Sequence, residues 1–141
     1  MDIRAIIKEA LPSFFSYIFA TYKEADYEVD KVNNFPVCLH VAQIAGAFEV
    51  DRLSSLRDTQ EIMLVFLDKD KKGAADSDFS GVIVERMKQE AVNTIRTLNA
   101  SGQVEKIAGQ IKYQPVVKDF NKCLTGVAIQ LTLKPIDSVC V

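Results

Sequence analysis

The sequence predicts an α+β domain: a largely antiparallel or mixed sheet of about four to five strands with helices on one face. Three observations lead there. Val127 to Lys134 reads Val-Ala-Ile-Gln-Leu-Thr-Leu-Lys, a period-two alternation with no Pro or Gly inside, which describes a strand with one buried and one wet face. Ile62-Met-Leu-Val-Phe-Leu67 is apolar at every position, so it should be a central strand covered on both faces. Strands fall in blocks with short connections between them, which points away from a doubly wound parallel sheet.

Taken in order, Ile3, Ile6, Ile7, Ala10, Leu11, Phe14, Phe15, Ile18 and Tyr22 recur at three- and four-residue steps. They predict one helical region over about 3–23, interrupted at Pro12, where the helix kinks or a second one starts. On such a helix Tyr17 and Phe19 point away from Phe14 and Phe15. Either the helix is buried on most sides, or these aromatics form an exposed patch that meets another subunit. Asn33-Asn34 breaks the chain and Pro36 permits a strand start. Val37, Leu39 and Val41 then alternate in a strand that runs to about Ile44, with a turn or bulge at Gly46 and extended chain again at Phe48–Val50. Residues 53–59 read as polar loop, and 68–78 as a charged, solvated loop. Asp78 or Ser80 caps a helix whose apolar stripe is Ile83 or Val84, Met87, Ala91, Thr94 or Ile95, and Leu98, closed by Ser101-Gly102. Residues 104–113 predict a further strand bounded by Pro115, and 116–120 are extended too.

With 141 residues, 48% of them hydrophobic, one domain is expected, able to bury about two-thirds of its unfolded surface. Seventeen basic residues against nineteen acidic leave a net charge of −2, so there is no positive field to gather phosphates, and nucleic-acid binding is not expected. The N-terminus has no signal-peptide core, and the longest apolar stretch, about 11–20, is too short to span a bilayer. A cytoplasmic protein without a membrane partner is the expectation.

Chemistry-bearing patterns are sparse. Cys38, Cys123 and Cys140 are odd in number and widely spaced, as in a protein with reduced thiols. His40, the single histidine, shares a strand face with Cys38; a zinc site needs two more ligands, and a Cys–His nucleophile needs an orienting group. A strand histidine with one satisfied hydrogen bond is the simpler account. Asp68-Lys-Asp-Lys-Lys-Gly73 mimics the start of a calcium loop but has Lys72 and Phe79 at liganding positions. Neither phosphate-binding nor hydrolase motifs occur. No catalytic residue, metal ligand or cofactor is therefore expected.

The element order, the opening Phe35-Pro-Val37, the 80–100 helix, Phe120-Asn-Lys-Cys-Leu-Thr-Gly126 and the closing Thr125-Gly-Val-Ala-Ile-Gln-Leu-Thr-Leu-Lys134 together resemble small phage tail-terminator or head–tail joining proteins. The resemblance implies a non-enzymatic structural protein, a virion component that self-associates into a ring and meets other phage-like structural proteins. It would act through head-to-tail contacts, with Tyr17 and Phe19 together with Asp68, Asp70, Lys71 and Lys72 as contact and lumen elements. A small-ligand or regulatory binding domain of the cytoplasm is the competing expectation, which a deep apolar pocket would favour.

Overall fold

The computed structural model describes residues 3–21, 23–50, 52, 55–70, 77–120, 122–134, 136 and 139–140. Its elements run α1 (Ile3–Ala10), β1 (Ser16–Ala20), α2 (Ala25–Asp30), β2 (Val37–Val50), β3 (Ser55–Lys69), α3 (Ser77–Ser101), β4 (Tyr113–Asp119), β5 (Leu124–Leu133) and β6 (Val139–Cys140). The six strands form one mixed sheet in the order β1-β2-β3-β5-β4, with β6 beside the start of β3. Among the described residues, β1 and β2 pair parallel and the other pairs are antiparallel. The α+β class holds, with slightly more strands than the sequence implies.

Ile62–Leu67 is the inner strand segment that its composition demands. It pairs with β2 on one side and β5 on the other, and its alternate side chains enter two cores. Ile62, Leu64 and Phe66 point toward α1 and α3, where they meet Ile6, Ile7, Met87, Leu98, Val127 and Leu131. Val65 and Leu67 point the other way, toward Leu39, Val41, Leu124 and Val29 of α2. The long helices thus cover one face as expected, but the short α2 lies over the other. Six residues with one buried pair, Ala25 and Val29, are too few to show a helical period.

The predicted helix over 3–23 is corrected. Helix α1 stops at Ala10, and Phe15 N–H turns back to the Pro12 carbonyl at 3.0 Å. Beyond that turn, Ser-Tyr-Ile-Phe-Ala forms β1, because aromatic and β-branched residues suit a pleated surface and β2 offers a partner in register from Ser16↔Val37 to Ala20↔Val41. The three- and four-residue steps past Pro12 were a coincidence of a strand's aromatics.

Two further segments differ. Residues 55–59, expected as loop, belong to β3, whose polar outer end pairs with β2 on one side and, at Ser55 and Leu56, with β6 on the other. Residues 104–112, expected as strand, form a loop pinned to α3: Ile107 N–H donates to Asn99 Oδ1 at 2.7 Å, and Asn99 Nδ2–H donates to the Ile107 carbonyl at 3.2 Å. Side chains of Ile107 and Ile111 still reach the core. Pro115 does not bound a strand but lies inside β4, an edge strand that tolerates a missing donor.

Gly126 is required by close approach. A Cβ there would lie 1.7 Å from the Phe66 carbonyl oxygen of the neighbouring strand. Phe66 itself is fully buried and meets Phe15 edge-on at 5.8 Å. Phe66→Ala is therefore expected to lose about 3–5 kcal/mol in urea unfolding, the usual scale for an emptied aromatic site. Gly126→Ala should lose more than about 4 kcal/mol, because backbone and not a flexible side chain must move; a loss below roughly 1 kcal/mol in either would contradict this packing.

Candidate interaction surfaces

Strand β1 places Tyr17 and Phe19 on the same face as α1, opposite Cys38 and His40 of β2. The two aromatics part company there. Tyr17 is half-buried against the core, and its hydroxyl is 2.7 Å from His40 Nδ1, with the imidazole tautomer deciding which group donates. Phe19 stays 41% exposed, edge-on to the His40 ring at 4.9 Å and beneath the Arg4 guanidinium of α1 at 5.0 Å. Phe14, in the turn before β1, is 57% exposed and leans on buried Phe15 at 5.3 Å. The outward aromatics of this edge are thus Phe14 and Phe19, while Tyr17 is turned inward.

His40 is buried, and Cys38 beside it is wholly enclosed; burial pushes the Cys38 thiol well up from its ordinary range. A thiol held protonated and shielded is no nucleophile. Among the described residues, no three His, Cys, Asp or Glu side chains gather where they could hold a metal ion.

The two acidic members of the expected lumen loop are engaged inside the protomer. Asp68, at the end of β3, is ion-paired with Arg86 of α3 and accepts the Lys69 N–H at 2.8 Å. Asp70 Oδ2 accepts from the hydroxyls of Ser80, at 2.6 Å, and of buried Thr125. Thr125 Oγ1 in turn accepts the Lys118 N–H at 3.0 Å, and Asp70 N–H donates to the Cys123 carbonyl at the same distance. Ser80 is therefore not a cap, since α3 begins at Ser77; it is a clasp in the first turn. These carboxylates fasten α3 to β3 and β5 instead of presenting themselves to a partner. Lys71 and Lys72 lie outside the described residues.

Two surfaces went unread in the sequence. The first is the outer half of the β2–β3 hairpin, an arm in which Ala45–Val50 pairs with Leu56–Glu61 while β5 borders it at Gln60 and Glu61 and β6 at Ser55 and Leu56. Every residue from Ala45 to Val50 is exposed, with Phe48 at 72% and Val50 at 61%. By register Phe48 stands opposite Asp58 and Val50 opposite Leu56, so the apolar pair shares one face of the arm. On the other face, Glu49 pairs with Lys134 at 3.6 Å, and Arg57 pairs with Glu105.

The second is a cleft of about 500 Å³ on the sheet face opposite α1 and α3. Leu39, Val41, Met63, Val65 and Ala128 floor it, Val116 and Phe120 wall one side, and Asp26 and Asp119 stand on its rim. The wall exists because β4 is bulged between Val116 and Asp119, and Lys118 and Phe120 take left-handed backbone (φ 50° and 64°), which bends the strand end. Only the all-apolar 62–67 run hinted at this face, by demanding cover on both sides.

Asp70→Ala is expected to lose about 1.5–3 kcal/mol in urea unfolding, the scale for hydrogen bonds to a charged acceptor. Cys38 should resist alkylation in the folded protein at pH 8 and react only as fast as the chain unfolds; rapid labelling, located by peptide mapping, would show that the site opens locally.

No protein-family model matches this chain, and no curated protein is found to match it.

Proposed function

We propose that the protein is a non-enzymatic structural subunit of the phage tail-terminator or head–tail joining kind, self-associating into a ring and contacting other phage-like structural proteins. The observation that supports this most is the open, two-ended sheet. Edge strands β1 and β4 lie at opposite ends of the strand order, and both carry exposed apolar groups: Phe14 and Phe19 by one, Tyr113 and Val117 on the other. Unpaired strand edges invite association. Different surfaces meeting head to tail generate a ring where the rotation closes. The net charge of −2 suits a lumen along which DNA slides without sticking. No described helix is long and apolar enough to cross a membrane, which agrees with assembly from the cytoplasm into a virion.

A second reading, a small-ligand or regulatory binding domain, is favoured by the open-face cleft, whose volume lies within the range of small-molecule sites. Light scattering over a concentration series separates the two. The ring reading expects a defined oligomer, and Phe14→Ser with Phe19→Ser should raise the concentration for half-assembly at least about tenfold, equivalent to about 1.4 kcal/mol, without loss of helical circular dichroism. A chain that stays monomeric throughout and holds an apolar probe would replace the ring by the ligand-binding reading.

A further inference from the structure

The two faces of the sheet are covered unequally. Helices α1 and α3, of 8 and 25 residues, close one face; of the described helices only α2, with 6, lies over the other. Leu39, Val41 and Val65 are buried on that second face, but Met63 and Ala128 are left half-buried, and the cleft of about 500 Å³ opens above them. An apolar floor of this size takes an apolar body the size of a small molecule.

The walls bring charge of one sign. Asp26 stands on the α2 side, in the first turn of the helix, and Asp119 on the opposite side, where β4 bulges. Asp119 accepts the Phe120 N–H through Oδ1 at 2.8 Å. Among the described residues neither carboxylate has an ion-pair partner, in contrast to Asp68 with Arg86, and no cationic side chain lines the cleft. A cleft with apolar walls and charge of a single sign focuses its field and gathers counter-ions. An anion is repelled from it, and a neutral molecule leaves both carboxylates unanswered.

We propose that the open-face cleft binds a small amphiphilic amine, its apolar body over Met63 and Ala128 and its ammonium at the Asp26 and Asp119 carboxylates. This rests on the ligand-binding reading and goes beyond it by fixing the ligand's charge; the ring stands or falls separately.

The test uses octylamine and 1-octanol, which share a chain and differ in charge at neutral pH. Each is titrated into the full chain labelled at its methyl groups, with Met63, Val65 and Ala128 as magnetic-resonance reporters. Octylamine should shift all three saturably and bind about fivefold tighter than octanol, the gap expected of two exposed charge pairs. Asp26→Asn with Asp119→Asn, both at exposed positions, should shrink that gap to within about twofold and leave octanol binding as it was. Hexylamine, with two methylenes fewer to cover, should bind roughly tenfold more weakly than octylamine. Ala128→Phe, which fills the floor, should lose both probes. Equal affinity for amine and alcohol, unchanged by the Asn pair, would overturn the cationic class and leave an apolar-ligand site. Amine-induced shifts at the Asp26 and Asp119 amides alone would mark surface charge pairing and overturn the cleft as the site. If neither probe moves the three methyls, the proposal and the ligand-binding reading fall together. Methyl shifts that grow with protein concentration in the absence of probe would show a second copy covering the cleft, and would overturn the proposal.

Discussion

Everything in this fold hangs on β3 being satisfied on four sides. Its inner half is hydrogen-bonded to β2 and β5 and packed above by α1 and α3, below by α2, Leu39 and Leu124. A strand in that position tolerates almost no change of volume or register, because a slip of one residue would exchange the two cores. Its two ends inherit that rigidity. At the C-terminal end Asp68 and Asp70 convert it into an anchor for α3; at the N-terminal end the same strand runs on past β5 between β2 and the short β6.

What the sequence made legible follows from the same physics. Ile62–Leu67, the 127–134 alternation and the stripe from Ile83 to Leu98 are readable because each buries a face whose periodicity has no other solution. The failures are places where that signal is absent or borrowed. Ser16–Ala20 shares its aromatics with a helical period, and only its parallel partner at Val37–Val41 decides the matter. Leu56–Gln60 looks like loop because four of its five residues are polar and show no apolar period, although the fold half-buries it between its partner strands and buries Thr59. Ile107 and Ile111 are apolar because they reach the core from a loop held by Asn99.

The candidate surfaces were legible to a smaller degree. Phe19 could be singled out because a helix has no room for so many aromatics; it is exposed, though on a strand and for a different geometric reason. Asp68 and Asp70 looked like solvated charges because their partners, Arg86, Ser80 and Thr125, lie 10 to 55 residues away in sequence. A charge run reads as wet until the fold supplies its counterparts. The outer hairpin and the cleft had no local signature, since which side chains stay uncovered depends on where the neighbouring strands end.

The bulge in β2 reconciles two registers. Between Val41 and Ala45 the strand advances four residues while β3 moves only two, from Met63 to Glu61. The inner register answers to the cores, the outer one to the turn of the hairpin. Their difference is an even number, so the same parity faces the same way on both sides of the bulge. Chain-length variation at the turn is consequently filtered by arithmetic. If the turn keeps its shape, one inserted residue rotates Phe48 and Val50 to the opposite face, while two inserted residues only lengthen the arm. Insertions there would be tolerated in pairs.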